Sequence, residues 1–182
     1  MIKFEKVLKY QDVDFNLPSR KTANSAGYDF EVVEDIIIPP YHECLSKMRE
    51  NAHKYPMSPT LIDVARFTSA TARPTLVPTG VKCKLDEGYY LELSLRSSSP
   101  LKYWLVLANS VGIIDADYYG NVDNDGHIQF QVINFGPRKI CLKKGDIIGQ
   151  GIIKKYYTTD DDAAEGERVG GFGSTTKEEK NK

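Results

Sequence analysis

Apolar and polar residues alternate along several short stretches of the chain. From Tyr89 to Leu95 every second residue is tyrosine or leucine, and Glu92 and Ser94 lie between them. A similar alternation runs from His127 to Val132. A period of two is typical of a strand that buries one face. Glycine, proline, asparagine and aspartate bound these stretches, as they do strands, and the pattern therefore predicts a mainly-β fold.

Two stretches depart from simple alternation. Paired isoleucines flank Gly149-Gln150-Gly151, which predicts a strand with a close backbone approach or a bulge. Between Glu43 and Tyr55, apolar residues recur at helical spacing, and this predicts a helix, or a helix and a turn, before the prolines at 56 and 59. Leu61–Phe67 is a candidate for a second short helix. We interpret this region as a surface excursion from a β-core.

The chain changes character after residue 157. Its acidic residues at 160–162 and 165–167 cannot bury apolar area, which predicts a mobile arm. We therefore predict one domain over residues 1–157, with a helical insertion at about 44–73, and a flexible C-terminal arm over 158–182. Arg168–Thr175 is a glycine-rich island with one arginine and one phenylalanine. Such an island is either a segment that orders on a ligand or a plain linker.

Composition narrows the class of protein. The chain has 182 residues, of which 41% are apolar and 27% charged, as in ordinary globular proteins. Its formal net charge of -1 argues against a nucleic-acid partner. No stretch is long and apolar enough to cross a membrane, and Met1–Glu5 lacks the features of a signal peptide. Three dispersed cysteines fit a reducing compartment, so a cytoplasmic location is expected.

Asn109–Gly120 carries the most informative chemistry. Two isoleucines precede Asp115 within a glycine-bounded segment, which predicts a β-hairpin with an acid at its bend. Gly112 leaves backbone groups accessible to a flat ligand edge. Taken alone, Asp115 caps a turn more often than it acts as a catalyst, so both interpretations stay open.

Arg96 begins a second candidate segment, because hydroxyl residues and free backbone N–H groups follow it. Such a segment is either an oxyanion cradle or an exposed strand end with a surface ion pair. Two further segments, Ser25–Phe30 and Gly145–Gln150, predict turns that lead into strands. His127 and the other two histidines do not cluster in the sequence and are interpreted as structural or solvated.

The order of these segments resembles the five motifs of the trimeric dUTPase family. The third and fifth motifs are specific, and the resemblance spans roughly residues 28–175. The matching segments are Ala26-Gly27-Tyr28-Asp29, Arg96-Ser97-Ser98, Gly112–Gly120, Gly145–Gln150 and Arg168–Thr175.

The resemblance implies a jelly-roll-like β-barrel that assembles as a homotrimer with shared active sites, each closed by the arm of a neighbour. It implies hydrolysis of dUTP to dUMP and pyrophosphate with Mg²⁺ as cofactor. Such an activity keeps uracil out of DNA and supplies dUMP for dTMP synthesis. Mg²⁺ retains water ligands and prefers phosphate oxygens, so few direct protein ligands are expected.

The resemblance also implies a role for each matching residue. Asp115 orients and activates the attacking water and also holds the 3′-hydroxyl, and Asp29 supports the hydrated metal. Tyr118 packs under deoxyribose and excludes a 2′-hydroxyl. The expected substrate-binding residues are Asn109, Gly112 and Ile114 at uracil, Arg96, Ser97, Ser98 and Gln150 at the phosphates, and Arg168, Phe172, Gly173, Ser174 and Thr175 from the arm. Within the arm, Phe172 stacks on uracil. The terminal phosphate is bound by Arg168, Ser174 and Thr175.

This chain departs from the family pattern in three places. The insertion from Cys44 to about Arg73 is longer than the usual link, and it could bind a protein partner. Asn121–Gly126 is a lengthened turn after the third motif. The fifth motif has one residue fewer than usual between Arg168 and Phe172.

Two alternative functions follow from these features. A dCTP deaminase shares the barrel and the Arg-Ser-Ser segment, but it uses a glutamate in the strand after the third motif. Here that strand contains Gln129 and Gln131 and has no glutamate. A regulatory protein that binds dUTP and contacts a partner through the insertion is the other alternative.

Overall fold

The computed structural model describes residues 1–54, 60, 63–64, 68, 73–166, 168 and 170–171. Eleven strands account for most of the regular structure in this part of the chain. They are β1 (Lys3–Lys6), β2 (Tyr28–Glu31), β3 (Ile36–Ile38), β4 (Thr75–Pro78), β5 (Val81–Lys84), β6 (Tyr89–Leu95), β7 (Leu105–Leu107), β8 (Gly112–Ile114), β9 (Gln129–Asn134), β10 (Ile140–Leu142) and β11 (Ile147–Lys155).

The strands form antiparallel sheets, as the alternating pattern predicted. The largest sheet has the order β2-β11-β6-β8, and a second has the order β4-β9-β7. Two strand pairs, β1-β5 and β10-β3, complete the set. One core cluster takes buried side chains from all four sheets, including Phe30, Cys83, Phe130 and Ile148. The mainly-β prediction is therefore confirmed.

The glycines of β11 allow two rings to pack against its backbone. A Cβ atom at Gly151 would lie 2.8 Å from both Phe30 and Leu91, and one at Gly149 would overlap the Phe130 ring and lie 2.7 Å from the carbonyl oxygen of Ser94. The register against β2 also shifts between Ile147 and Gly149. Both the close approach and the bulge that the sequence predicted are present.

Two α-helices with described ends lie between the strands. The first, α1 (Tyr41–Glu50), follows Pro40 and is continued by a short 3-10 turn at Ala52–Lys54. It confirms the helix predicted before Tyr55, but it begins earlier than the apolar spacing indicated. Residues 63, 64 and 68 are also helical. The second helix, α2 (Ser98–Tyr103), follows β6.

Other observations bear on the predictions about location and cysteines. No helix within the described ranges has the length and apolar character needed to cross a bilayer. All three cysteines are free, and only Cys83 is buried. Burial raises the pKa of the Cys83 thiol to about 12, so this side chain acts as a small apolar core residue.

Candidate functional site

Asp115 lies where strand β8 ends and a short 3-10 turn, Ala116–Tyr118, begins. β8 pairs with β6, so that Gly112 lies opposite Leu93. A Cβ atom at position 112 would lie 3.1 Å from the Cβ atom of Leu93, and this close approach favours glycine. The predicted β-hairpin is wrong, because β8 pairs with β6 and Asp115 directly precedes a 3-10 turn.

A cavity of about 150 Å³ opens beside Asp115. The carboxylate itself is about half exposed, with 48% of its side chain accessible. The structure brings together six of the residues that the sequence singled out, and they come from β8, the 3-10 turn, the β7–β8 loop and the arm. These residues are Asn109, Gly112, Ile114, Asp115, Tyr118 and Arg168.

Tyr118 forms a fixed, buried wall of this Asp115 cavity. Its side chain is 6% exposed, and its hydroxyl donates to the carbonyl oxygen of His127 at 3.2 Å. The same hydroxyl accepts a hydrogen bond from the Asn124 amide at 2.7 Å. Burial raises the pKa of Tyr118, while the Asn124 hydrogen bond opposes that shift. The phenol therefore stays protonated near neutral pH, and its ring has one well-defined position.

Arg168 connects the arm to the acidic side of the cavity. Its Nη2 donates to Asp115 Oδ2 at 2.6 Å, and its Nε donates to Asp117 Oδ1 at 2.8 Å. The guanidinium also lies over the Tyr118 ring, 5.6 Å from the ring centroid. Only 19% of the Arg168 side chain is exposed. In this arrangement one guanidinium bridges both carboxylates of the motif.

The phosphate-binding residues predicted in the second motif lie away from the Asp115 cavity, whereas Arg168 lies within it. Arg96 and Ser98 line a second cavity of about 550 Å³, formed with the strands β10 and β11. The cavities around Asp115 and Arg96 share no lining residue. Ser97 is the residue before helix α2. Within one chain the candidate general base thus lies in a different cavity from the second-motif residues Arg96 and Ser98.

Gln150 and Asp29 lie opposite each other in the β2–β11 pair. Ser94 lies opposite Gln150 on the other side, and the Gln150 amide donates to its hydroxyl at 3.4 Å. Directly opposed residues share one face of a sheet. A Cβ atom at Gly27 would lie 3.0 Å from Gln150 Cδ, so glycine leaves room for that side chain. The first and fourth motifs therefore meet on one polar face.

The described residues offer few carboxylates that could bind a metal ion directly. Within the residues that the structure describes, no group of three histidine, cysteine, aspartate or glutamate side chains could hold a metal ion. Asp29 on the polar face supplies one carboxylate near Gln150. This set fits a metal held mainly by water and substrate oxygens, which is the preference of Mg²⁺.

Several cavity residues were not among the predicted site residues. Gln129 and Gln131 line the Asp115 cavity from β9, and His127 borders them. The alternation along β9 places both glutamines on its polar face, which is the signal that could have found them. Asn124 carried no such signal, because its contact with Tyr118 depends on the fold of a turn. Phe172, Gly173, Ser174 and Thr175 lie outside the described residues.

His127 is a structural residue, in agreement with one of the two interpretations from sequence. It is 7% exposed, and its Nε2 accepts a hydrogen bond from the Gly80 N–H at 2.8 Å. Burial lowers its pKa to about 4, and the positive charge of Lys9 adds to this shift. A neutral imidazole is therefore built into the wall of the site.

We expect the free energy of unfolding to decrease as the pH falls from about 6.5 to about 4. The unfolded chain binds a proton at His127 near its ordinary pKa of 6.5, whereas the folded chain binds it only near 4. The stability contributed by neutral His127 is thus complete above pH 6.5 and reduced by about 3 kcal/mol near pH 4. Urea unfolding across this range measures the slope.

Two variants make this measurement specific. His127→Gln retains a side-chain oxygen that can accept from Gly80, and it should flatten the slope. His42→Gln changes an exposed histidine and should leave the slope unchanged. Equal slopes in the wild type and His127→Gln would show that His127 does not cause the pH dependence.

Comparisons with known proteins agree with this fold and cavity, which define a mainly-β protein with a small-molecule site. The family model described as dUTPase matches residues 63–176. The deoxyuridine 5′-triphosphate nucleotidohydrolase of Lactococcus lactis subsp. lactis (strain IL1403) is 36% identical over 174 residues, covering 94% of this chain and 95% of that protein. The chain belongs to the dUTPase family.

Solved structures extend the comparison. The dUTPase from Streptococcus mutans has a TM-score of 0.64 and 34% identity, and the match covers 86% of this chain and 98% of that one. The dUTPase from phage phi11 of S. aureus has a TM-score of 0.60 at 16% identity, covering 91% and 97%, and shows the fold alone. The jelly-roll prediction is thereby confirmed.

Proposed function

We propose that this chain hydrolyses dUTP to dUMP and pyrophosphate, with Asp115 as the group that activates water. The observation that carries the proposal is the Asp115 cavity, in which an accessible carboxylate lies beside a buried tyrosine and an arginine from the arm. Membership of the dUTPase family gives the substrate. A cavity with one reactive acid and one flat wall suits a compact nucleoside with a charged tail.

In the proposed reaction Asp115 accepts a proton from a water molecule, whose oxygen attacks the α-phosphorus. The bond from the α-phosphorus to the α–β bridging oxygen breaks, and pyrophosphate leaves with that oxygen. A positioned general base typically contributes about 10²–10⁴-fold in rate. The ion pair with Arg168 holds Asp115 before substrate binds, and the base is free to accept a proton once that pair opens.

Arg168 is proposed to move from the carboxylates to the terminal phosphate when dUTP binds. Hydrogen bonds to charged groups contribute about 1.5–3 kcal/mol each, so a phosphate with more negative charge competes well with Asp115 and Asp117. This exchange would free Asp115 from its ion pair when the triphosphate binds, so that Asp115 can act as the general base. Arg168 thus keeps its proposed role as a phosphate ligand, with the carboxylates as its resting partners.

Tyr118 is proposed to exclude ribonucleotides. Its ring cannot withdraw easily, because its hydroxyl is held by Asn124 and by the His127 carbonyl oxygen. A fixed ring under the sugar leaves no room for a 2′-hydroxyl. The remaining substrate contacts proposed are Asn109, Gly112 and Ile114 at uracil, Arg96, Ser97, Ser98 and Gln150 at the phosphates, and Phe172, Gly173, Ser174 and Thr175 from the arm.

Mg²⁺ is the proposed cofactor, held through water by Asp29 and directly by the triphosphate. When bound, it neutralises phosphate charge and orients the triphosphate chain. A structure of a phage phi11 dUTPase mutant describes coordination of a structural Mg(II) ion in that protein. The face shared by Asp29 and Gln150 supports this placement.

A homotrimer with shared sites is the proposed assembly. The separation of the Asp115 and Arg96 cavities on one chain supports it, because each cavity supplies only part of the groups that hydrolysis needs. Exposed aromatic side chains support it as well. Tyr103, Trp104 and Phe135 are all more than half exposed, and Phe135 donates a backbone hydrogen bond to Trp104. Such a patch on one chain suits burial against another.

We expect pyrophosphate release from dUTP in the presence of Mg²⁺, and little from dCTP, dTTP or UTP. Uracil recognition excludes dCTP and dTTP, and Tyr118 excludes UTP. A coupled assay of pyrophosphate across the four nucleotides checks this, with ammonia followed in parallel. Ammonia release from dCTP would favour a deaminase, but Gln129 and Gln131 give the cavity no glutamate on β9. Release from none of the nucleotides would refute hydrolysis.

A cytoplasmic location remains a prediction, as do the bounds of the domain at 1–157 and of the flexible arm at 158–182. A protein partner at the insertion is also a prediction, and a pull-down with and without residues 44–73 tests it.

A further inference from the structure

Three primary amides line the Asp115 cavity. They belong to Asn109 in the β7–β8 loop and to Gln129 and Gln131 on β9. Within the described residues, none of these three side chains makes a hydrogen bond, although both glutamines are partly buried. A carboxamide both donates and accepts, and such groups are normally paired when a protein buries them. The cavity therefore holds donors and acceptors that a ligand can satisfy.

The two glutamines occupy different ends of the cavity. They lie on one face of β9, about 7 Å apart along the strand. The main-chain carbonyl oxygen of Gln131 accepts from the Ala108 N–H at 2.8 Å, which places Gln131 beside Asn109. Gln129 is two residues closer to the carbonyl oxygen that accepts from the Tyr118 hydroxyl. Gln131 thus lies at the Asn109 end, and Gln129 lies nearer the Tyr118 end.

The other walls of this cavity are mostly apolar. Among the described residues that line it, the acidic and basic groups are Asp115 and Arg168, which form an ion pair with each other. Leucine and isoleucine side chains form much of the remaining surface, including Leu93, Leu107 and Ile114. Apolar walls with a few placed polar groups are typical of a site for a small flat ligand.

We propose that Gln131 is a base-binding residue, whose carboxamide binds the O4 and N3 edge of uracil beside Asn109. The identity of the base rests on the proposed function, in which Tyr118 packs under deoxyribose. The O4 and N3 edge is the part of uracil that lies far from the sugar, and Gln131 lies away from the Tyr118 end. Its NH₂ group donates to O4, and its oxygen accepts from N3–H.

Replacement of Gln131 by glutamate tests this contact through the choice of base. A carboxamide can rotate and pair with uracil or cytosine, whereas a carboxylate only accepts. Gln131→Glu should therefore weaken binding of a non-hydrolysable imido analogue of dUTP by about tenfold or more, because its charge faces O4. It should strengthen binding of the matching dCTP analogue, since the amino group of cytosine donates. Calorimetric titration measures both affinities without turnover.

Gln129→Glu is the matched control. It makes the same change of charge on the same face of β9, but at the end that faces the sugar and O2, which both nucleotides share. It should change the affinity for the two analogues by the same factor. Gln131→Leu removes the hydrogen bonds without adding charge, so it should weaken binding of the dUTP analogue about fivefold and give no gain for the dCTP analogue. Circular dichroism shows whether each variant is folded.

Each outcome decides the role of Gln131. Equal changes for the two analogues in Gln131→Glu would show a general effect of charge on the triphosphate and would overturn the proposal. Binding of the dCTP analogue no tighter than in the wild type would also overturn it. Opposite changes for the two analogues, in a protein that releases no pyrophosphate, would support base binding and refute only hydrolysis. Normal hydrolysis of dUTP by Gln131→Glu with unchanged affinity would refute base binding alone.

Discussion

Asp115→Asn should lower kcat for dUTP by about 10²–10⁴-fold and leave nucleotide binding intact. The amide has nearly the same size as the carboxylate, so the Asp115 cavity and the Tyr118 ring keep their shape. It cannot accept a proton from water, however, and the step that generates the nucleophile is lost. Binding should persist because the uracil and phosphate contacts come from other residues, and the asparagine amide can still form a hydrogen bond with the 3′-hydroxyl.

The ion pair with Arg168 sharpens this expectation. In the wild type, the substrate must draw Arg168 away from both Asp115 and Asp117. The variant retains only Asp117 as a charged partner, so the arm arginine is easier to release. Affinity for a non-hydrolysable imido analogue of dUTP should therefore be equal to or greater than that of the wild type. Calorimetric titration measures the affinity, and single-turnover pyrophosphate release measures the chemical step.

Asp117→Asn is the matched control. It makes the same chemical change at the other Arg168 partner, two residues away, on a side chain that is 57% exposed. It should retain kcat within about tenfold, because an exposed ion pair contributes at most about 1 kcal/mol. Similar losses in both variants would mean that the acidic pair acts only through Arg168. Turnover of Asp115→Asn near the wild-type value would remove Asp115 from the mechanism.

The sequence predicted the strands well because their signal is local. Along β6 and β9 the period of two follows from which face each residue buries, and no distant contact is needed to see it. The break at Gly149 and Gly151 was equally visible, since glycine within an apolar strand marks a close approach. In the structure the aromatic rings and the leucine that approach them come from β2, β6 and β9.

The elements that were wrong or misplaced depend on tertiary contacts. Helix α1 begins at Tyr41, whose ring packs edge-on against Phe135 at 5.2 Å between centroids, and residues so far apart in sequence give no periodic signal. The hairpin was expected because two isoleucines precede Asp115 in a segment with glycines on both sides. β8 instead pairs with β6, which precedes it by a helix and a strand.

The candidate site shows the same difference between what local sequence signals predict and what depends on tertiary contacts. The linear order of the motifs identified Asp115, Tyr118 and Arg168, and the structure brings them together. Linear order cannot by itself show how far apart motifs lie in space. Only the family resemblance implied that sites are shared between chains, and the structure shows that Arg96 faces a different cavity from Asp115. It also could not show that Asn124 holds the Tyr118 hydroxyl. These facts depend on which strands pair and on how one turn folds.

The separation of the two cavities leads to the second large effect that we expect. Asp115→Asn and Arg96→Ala should each be nearly inactive as pure proteins. When the two are unfolded together and refolded as mixed oligomers, activity should reappear. If each site takes Asp115 from one chain and Arg96 from another, about one quarter of the sites in an equal mixture receive both intact residues.

A site built within one chain predicts the opposite result. Each chain would then carry one of the two defects, and no arrangement of chains could produce an intact site. For a shared site, in contrast, the recovered kcat should be about one quarter of the wild-type value. Pyrophosphate release measures it after the mixed species is isolated at the mass of the trimer. Activity that stays at the level of the pure variants would contradict the shared site.

A mixture of Asp115→Asn with a chain that carries both Asp115→Asn and Arg96→Ala supplies the control. No chain in this mixture has an intact Asp115, so mixing cannot complete a site. This mixture should stay inactive while the mixture with Arg96→Ala recovers. Activity in both mixtures would come from residual turnover of Asp115→Asn and would contradict the shared site. The contrast between the two mixtures therefore tests the assembly through the positions of two residues, independently of how tightly the trimer holds together.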